Sequence, residues 1–144
     1  MKVMNEFELK FRAKSENESF ARTTVCAFAA QLDPNISEIS DIRTAVSEAV
    51  TNCIVHAYKN GEGTVVINVK LLDGNMLYIK VRDKGCGIAD VQKAMEPMYT
   101  TAESDERAGL GFAVMENFMD KLAVTSKPGK GTTVTMRKRI GNGK

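Results

Sequence analysis

Alternating hydrophobic and polar residues predict five β-strands, because successive side chains of a strand point to opposite faces. In EFELKFRA (6–13), Phe7, Leu9 and Phe11 share one face. The other predicted strands are TVVINVKLL (64–72) and MLYIKVRD (76–83), joined as a hairpin by Asp73-Gly74-Asn75, and LAVTS (122–126) and TTVTMRKRI (132–140) around the turn KPGKG.

Helical patterns lie between these strands. The S-x-x-E motif at Ser15 and Glu18 predicts a capping box that opens a helix running to about Leu32. Further helices are predicted from about Ser37 or Ser40 to Tyr58, near 90–95, and over FAVMENFMDKL (112–122). The polar stretch 97–111 is too long for an ordinary turn and is a candidate mobile lid. Together these elements indicate an α+β fold: a two-layer sandwich with a mixed, mostly antiparallel sheet and helices on one face.

Composition limits the possible functions. The 144 residues suit one domain, 1–144, and 43% hydrophobic with 26% charged residues is typical of a globular protein. The sequence has neither a charged-then-apolar leader nor an apolar run long enough to cross a bilayer, so we expect a cytoplasmic protein with no membrane partner. A formal net charge of +2 is too small to predict direct nucleic-acid binding. Three widely spaced cysteines and one histidine argue against disulfides and against a zinc site.

The stretch SEAVTNCIVHAY (47–58) places Glu48 and Asn52 one helical turn apart, opposite a broad apolar arc. The polar face of an ordinary amphipathic helix explains this pair by itself. Alternatively, the amide oxygen of Asn52 coordinates Mg²⁺ without adding a charge, while Glu48 polarises a nucleophilic water or hydroxyl. The helix alone does not decide between the two interpretations.

The stretch RDKGCGI (82–88) places Asp83 at the end of a predicted strand, on the same face as the apolar residues. A carboxylate there is costly unless a donor hydrogen-bonds to it, and an adenine amine is a suitable donor. Gly85 and Gly87 would let the backbone approach a flat ring or a phosphate. The alternative is a tight turn in which the aspartate caps its own backbone.

In RAGLGFAVMENF (107–118), a Gly-x-Gly loop leads directly into a predicted helix. The unpaired N–H groups and the positive end of such a helix suit a phosphate. Arg107, just before the glycines, could add a forked contact to a terminal phosphate. The alternative is a flexible connection with a solvated arginine. Each of the three patterns is weak alone, but in this order they fit one nucleotide pocket.

The three motifs resemble the asparagine box and the two glycine boxes of the GHKL superfamily of ATPases and kinases, which have the Bergerat fold. The matching segments are E-A-V-T-N-x-x-x-H-A-Y, D-x-G-x-G-I and G-L-G-F. The small size and the H-A-Y ending narrow the resemblance to the anti-sigma kinases. SENESFARTTVCAF, the P-M-Y-T-T lid and GFAVMENFMDKL are similar to the type found in endospore-forming bacteria over nearly the full chain. A stress-response kinase of the same family matches the first helix and ENFMDKL less well.

The resemblance implies a homodimer that binds a sporulation sigma factor of RNA polymerase and keeps it inactive. It also implies a serine kinase that uses ATP and Mg²⁺, releases ADP, and phosphorylates a small anti-anti-sigma protein. That small protein, while unphosphorylated, would displace the sigma factor. Competition of both partners for one surface would need no long-range coupling.

The resemblance also implies roles for individual residues of this chain. Glu48 would be the catalytic base and Asn52 the Mg²⁺ ligand, with Asp83 reading adenine. The other nucleotide-binding positions would be Gly85 and Gly87 around adenine, Thr132 at the adenine end, Arg107 at the terminal phosphate, and Gly109, Leu110 and Gly111 over the phosphate chain. Arg22 on the first helix would contact both protein partners.

Two positions depart from the family pattern: Ala108 stands where a serine is expected, and Lys84 replaces the commoner acidic residue. Both concern nucleotide affinity more than phosphate transfer. Two other functions therefore stay open. One is a free-standing ATPase module of a histidine kinase, and the other is a nucleotide-gated binding protein without transferase activity. The intact Glu48 and Asn52 argue against the second.

Overall fold

The computed structural model describes residues 1–58, 62–95 and 103–141, with only the backbone course at 92, 93 and 103–110. Residues 97–102 of the predicted lid lie outside this description. The elements in chain order are β1 (Val3–Arg12), α1 (Glu16–Ala29) with a 3-10 turn (Ala30–Leu32), α2 (Ile36–Thr51) continued by a π-helical segment (Asn52–Ala57), β2 (Thr64–Leu72), β3 (Met76–Asp83), α3 (Val91–Met95), α4 (Glu103–Phe118), β4 (Lys121–Lys127) and β5 (Gly131–Arg139).

The five strands form one sheet in the order β1-β2-β3-β5-β4, and each of these pairings is antiparallel. The predicted α+β fold is confirmed, and β2 and β3 have the predicted bounds. Alternation explains the core, because every second residue of the central strands packs against α1, α2 and α4. Examples are Ile67, Ile79 and Met136, which are fully buried. The opposite face is polar: Lys70 and Arg137 lie 5.4 and 5.3 Å from the ring centre of Tyr78.

The capping box predicted at Ser15 is wrong. The backbone of Ser15 is already helical, with φ −56° and ψ −33°, so its side chain makes no capping bond. The capping box belongs to α2 instead. Asn35 has extended backbone and accepts from the Glu38 N–H at 2.8 Å, while Glu38 accepts from the Asn35 N–H at 2.9 Å. The helix therefore begins at Ile36, before the predicted Ser37 or Ser40.

The second predicted helix reaches the region of Tyr58, but its last turn is π-helical. The Tyr58 N–H donates to the Cys53 carbonyl, five residues back, at 3.2 Å. The Ala57 carbonyl leaves the helical ladder and accepts from the Cys86 N–H at 2.9 Å. This bond ties the helix end to the loop after β3, so the constant four-residue spacing assumed from the sequence ends at Asn52.

The helix predicted over 112–122 is displaced: α4 spans Glu103–Phe118, and β4 already begins at Lys121. The Gly-x-Gly segment therefore lies inside the helix rather than in a loop before it. The run Glu103–Ala108 contains strong helix formers, which extend the helix toward its N-terminus. The two glycines weaken the helix by about 1 kcal/mol each relative to alanine, but they do not end it.

Among the described residues, no helix is both long enough and apolar enough to span a membrane.

Candidate functional site

A cavity of about 240 Å³ opens between the π-helical segment, the loop after β3, α3 and β5. Its walls are mainly apolar, as is usual for pockets that bind small molecules. Ile88, Ala94 and Phe112 supply much of this apolar lining. Its polar lining includes Asn52, Asp83 and Thr132, three of the residues singled out in the sequence, and also His56. The structure thus brings the predicted asparagine, aspartate and threonine to one cavity.

Asp83 ends β3 and turns its carboxylate into the cavity wall. Its Oδ1 accepts from the Gly85 N–H at 2.9 Å and from the Thr132 N–H at 3.2 Å, and its Oδ2 accepts from the Cys53 thiol at 3.5 Å. Burial raises the pKa of the Asp83 carboxyl above its ordinary value, and the three hydrogen bonds oppose that shift. Burial, followed by the nearby Asp83, raises the pKa of the Cys53 thiol well above its ordinary value.

The loop after Asp83 is fixed to the end of the helix. The Tyr58 hydroxyl accepts from the Lys84 N–H at 2.6 Å and donates to the Thr64 carbonyl at 2.7 Å. Gly85 and Gly87 are required here, because a Cβ at either would collide with backbone, at the Ala57 carbonyl and the Lys127 carbonyl respectively. Gly87 also has φ +74°, which favours glycine. The two glycines therefore permit close backbone contact, and the predicted contact with a ligand stays a prediction.

Thr132 is held by a small hydroxyl network at the start of β5. The Ser126 and Thr132 hydroxyls lie 2.7 Å apart. The Ser126 hydroxyl also accepts from the Ile88 N–H at 2.8 Å and lies 2.9 Å from the Gly131 carbonyl. Ser126 and Thr132 face each other in the β4–β5 register. This network links the cavity loop to the sheet and leaves Thr132 almost fully buried.

The side chains of Glu48 and Asn52 both lie next to Gly111 of α4. A Cβ placed on Gly111 would lie 3.1 Å from Glu48 Oε2 and 3.3 Å from Asn52 Oδ1. Gly111 is buried there, so the absence of a side chain lets α4 approach the pair closely. The buried Nδ2 of Asn52 has no hydrogen-bond partner within the part of the chain that the structure describes. An unsatisfied amide beside a carboxylate is typical of a site completed by a ligand.

The oxygens of Glu48 and Asn52 fit a hard divalent cation such as Mg²⁺. No group of three or more histidine, cysteine or acidic side chains within metal-binding reach occurs among the described residues. A cation here would therefore have few protein ligands. This arrangement suits Mg²⁺, which usually retains waters and is bound together with substrate phosphates.

The remaining predicted site residues are Arg107, Gly109, Leu110 and Arg22. Arg107, Gly109 and Leu110 belong to α4, but their side chains lie outside the described part of the structure. Arg22 is on α1, where its Nε lies 3.4 Å from Glu18 Oε2 and its side chain is 36% exposed. Phe20 beside it is 51% exposed.

Sequence reasoning missed Cys53, Ser126 and Tyr58, which hold the cavity wall in place. Cys53 fell in the apolar arc of the helix, and nothing in its spacing distinguishes it from a core residue. A signal existed for Ser126: it is a polar residue on the inward face of a strand, opposite Thr132 across a predicted hairpin. In the sequence, Tyr58 was identified only as the last residue of the second predicted helix.

The sequence profile of the histidine kinase-like ATPase domain matches residues 11–138. Two similar relatives are anti-sigma F factors. The one from Caldanaerobacter subterraneus subsp. tengcongensis is 62% identical over 141 residues, which cover 98% of each chain. The one from Thermoanaerobacter sp. (strain X514) is 58% identical over 144 residues, which cover all of both chains.

A solved structure of the RsbU and RsbW domains of a Mycobacterium tuberculosis protein has the same fold. It superposes with a TM-score of 0.69 at 21% identity, covering 95% of this chain and 33% of that one. At this identity the likeness concerns the fold alone. It agrees with the antiparallel sheet and one-sided helical layer described above.

Proposed function

Because the chain belongs to the histidine kinase-like ATPase domain family, and within it to the anti-sigma F factors, we propose that it is an anti-sigma factor and an ATP-dependent serine kinase. It binds a sporulation sigma factor of RNA polymerase and keeps it inactive. It also phosphorylates a serine of a small anti-anti-sigma protein and thereby inactivates that protein. Since sigma factors act on RNA polymerase, the proposed site of action is the cytoplasm.

Asp83 supports adenine as the base that the cavity accepts. An ionised carboxylate only accepts hydrogen bonds, so it favours a base with an exocyclic amine over one with a carbonyl at the same position. The apolar walls from Ile88, Ala94 and Phe112 suit a flat ring. Thr132 lines the same part of the cavity and is the proposed second residue at the adenine end.

Glu48 is the proposed general base. It takes the proton of the acceptor serine hydroxyl as that oxygen bonds to the terminal phosphorus, and the bond from phosphorus to the ADP oxygen breaks. A carboxylate beside Asn52 and Gly111 suits this role because Glu48 lies next to the cavity without being part of its apolar lining. General-base assistance of this kind contributes about 10²–10⁴-fold to a rate.

Asn52 is the proposed Mg²⁺ ligand, through Oδ1, and its unsatisfied Nδ2 is available to a phosphate oxygen. Bound with the nucleotide, Mg²⁺ would neutralise charge on the phosphates during transfer. Gly111 keeps the space beside both side chains open. Arg107 at the terminal phosphate, with Gly109 and Leu110 over the phosphate chain, completes the proposed set.

Arg22 and the exposed Phe20 form the proposed partner surface on α1. Arginine and aromatic residues, phenylalanine included, are enriched in protein–protein interfaces. The sigma factor and the anti-anti-sigma protein would compete for this surface on a homodimer. Among the described residues, the polar contacts of the Arg22 side chain are with Glu18 and Ser19 of its own helix, and a partner carboxylate can replace them at small cost.

The observation that carries the kinase proposal is the meeting of Glu48, Asn52 and Gly111 beside a cavity that contains Asp83. The test is phosphate transfer from radiolabelled ATP to a purified anti-anti-sigma protein, with Glu48→Ala and Asn52→Ala as variants. We expect acid-stable phosphoserine with the wild type and almost none with either variant. Transfer at the wild-type rate by either variant would show that the assigned roles are wrong. Acid-labile phosphate would instead favour a histidine kinase module.

The anti-sigma activity needs a separate test. A pull-down from a sporulating lysate with ATP, with ADP and without nucleotide should retain a sigma factor with ATP. Arg22→Ala should lose both the sigma factor and the anti-anti-sigma protein if one surface serves both. Retention of both by this variant would move the partner surface elsewhere.

A further inference from the structure

The Asp83 carboxylate has nearly all of its hydrogen-bonding capacity filled by the protein. A carboxylate offers about four acceptor positions. Two backbone N–H groups, those of Gly85 and Thr132, occupy Oδ1, and the Cys53 thiol occupies one position on Oδ2. Among the described residues no other donor to Asp83 is found, so a single acceptor position of Oδ2 is left for a ligand.

Cys53 supplies the one side-chain donor in this arrangement. The thiol is the hydrogen-bond donor because an ionised carboxylate has no proton to give. Cys53 is 3% exposed and lines the cavity together with Asp83. It sits in the π-helical segment, one residue after Asn52, so its position is set by the same turn that places the proposed Mg²⁺ ligand.

We propose that Cys53 is a positioning residue for base recognition, which restricts Asp83 to one open acceptor position directed at the exocyclic amine of a purine. This inference rests on the proposed function and adds to it the residue that sets base selectivity. Without the thiol, Oδ2 has a second buried acceptor position that no group fills, which is unfavourable. The carboxylate then gains freedom to move toward water or another donor, and its alignment with the amine is lost.

The test measures the dissociation constants of two nucleotides by calorimetry. One is ATP, and the other is the purine riboside triphosphate, which lacks the amine. The variants are Cys53→Ala, which removes the thiol, Cys53→Val, which keeps the bulk, and Cys53→Ser, which keeps a donor. Cys26→Ala is the matched control, because Cys26 is a half-buried cysteine on α1 outside the cavity lining. A melting curve for each variant checks that it folds.

We expect Cys53→Ala and Cys53→Val to weaken ATP binding about three- to tenfold, as for the loss of one hydrogen bond, and to change binding of the amine-free nucleotide less than about twofold. Cys53→Ser should restore ATP binding to within about twofold of wild type, because its hydroxyl replaces the donor. The control should match wild type for both nucleotides.

Equal weakening for both nucleotides would overturn the proposal, since it would show that Cys53 acts through packing alone. Unchanged ATP binding in the alanine and valine variants, or failure of serine to restore it, would also overturn it. Failure of the wild type to bind ATP would be a different result, because it would contradict the proposed function as well.

Discussion

The two parts of the site differ in how far the protein satisfies its own polar groups. At the Asp83 part, two backbone N–H groups and a thiol already bond to the carboxylate, and the Tyr58 hydroxyl fixes the loop that follows. At the Glu48 part, the Nδ2 of Asn52 is buried without a partner among the described residues. The protein itself organises the first part, whereas the second keeps a polar group that is available to a ligand. We therefore expect changes near Asp83 to alter affinity and changes near Glu48 to alter the rate of transfer.

The largest expected effect comes from Glu48→Gln, which keeps the size of the side chain but removes the proposed base. Phosphate transfer should fall by about 10²–10⁴-fold, the range expected for general-base catalysis, while the ATP dissociation constant changes little. Single-turnover transfer and calorimetry measure the two quantities. Glu116→Gln, at an exposed position of α4, is the matched control. A large loss of ATP affinity in Glu48→Gln would contradict the division between the two parts.

Asp83→Asn should reverse this pattern. An amide cannot accept as strongly as a carboxylate, so ATP affinity should fall about 10–100-fold, as for a lost hydrogen bond to a charged group. The ligand-free variant should be more stable. Burial raises the pKa of Asp83, so the folded protein binds this proton more tightly than the unfolded chain does. The protonated carboxyl therefore stabilises the fold at pH values below the unfolded pKa. This stabilisation is lost as the pH rises through the folded pKa. At neutral pH the substitution therefore removes an unfavourable charge.

The expected gain in the free energy of unfolding for Asp83→Asn is about 0.5–2 kcal/mol, the usual range for a single stabilising substitution. Urea denaturation without nucleotide measures it. A decrease in stability would show that the hydrogen bonds from Gly85, Cys53 and Thr132 outweigh the burial of the charge.

Gly111→Ala should separate activity from stability. The added Cβ would lie 3.1 Å from Glu48 and 3.3 Å from Asn52, which must shift, and the transfer rate should fall about tenfold or more. Stability should not fall, because alanine favours the helix more than glycine does.

Gly129→Ala is the contrasting variant. Its Cβ meets nothing within 4 Å, but φ of +75° strains any side chain, so it should lose stability and keep activity. Equal transfer rates in the two variants would contradict the assignment.

The smallest effect at neutral pH is expected from the titration of Asp83. Because its pKa is raised, protonation begins at a higher pH than for an ordinary aspartate, and the protonated form no longer accepts from the amine as a carboxylate does. The ratio of ATP affinity to that of the amine-free nucleotide should be constant near neutral pH and fall as the pH is lowered through this pKa. Both nucleotides carry the same triphosphate, so titration of the phosphates changes both affinities equally and leaves the ratio unchanged. A ratio independent of pH would show that Asp83 does not contact the amine.

Much of the fold follows from local patterns in the sequence. The β2–β3 hairpin has the predicted bounds because strict alternation and the turn residues Gly74 and Asn75, both with positive φ, specify the same register. Ser15 failed as a cap although its motif was correct. A capping motif describes side chains, and the backbone at Ser15 was already helical. Asn35 has the required extended backbone, but no cap was predicted there.

Polar residues of the cavity lining were predictable from the sequence, but the hydrogen bonds that hold them in place were not. Asp83 was marked by its place on the apolar face of a strand, and Asn52 by its spacing from Glu48. The bond between Cys53 and Asp83 joins residues 30 positions apart, and only the packing of the helix end on β3 creates it. The π-helical turn and the course of α4 through Gly111 likewise depend on tertiary contacts, which override local propensity.

Chain length at the end of α2 is as constrained as residue type. A π-helical turn holds an additional residue compared with an α-helical turn, so deletion of one residue between 53 and 57 would restore the α-helix. Each following residue would then rotate by about 100°, and the Ala57 carbonyl would turn away from Cys86. The helix would become regular, but its hydrogen bond to the loop after β3 would be lost. Apart from Cys53, natural variation at this segment should therefore admit substitutions more readily than an insertion or a deletion.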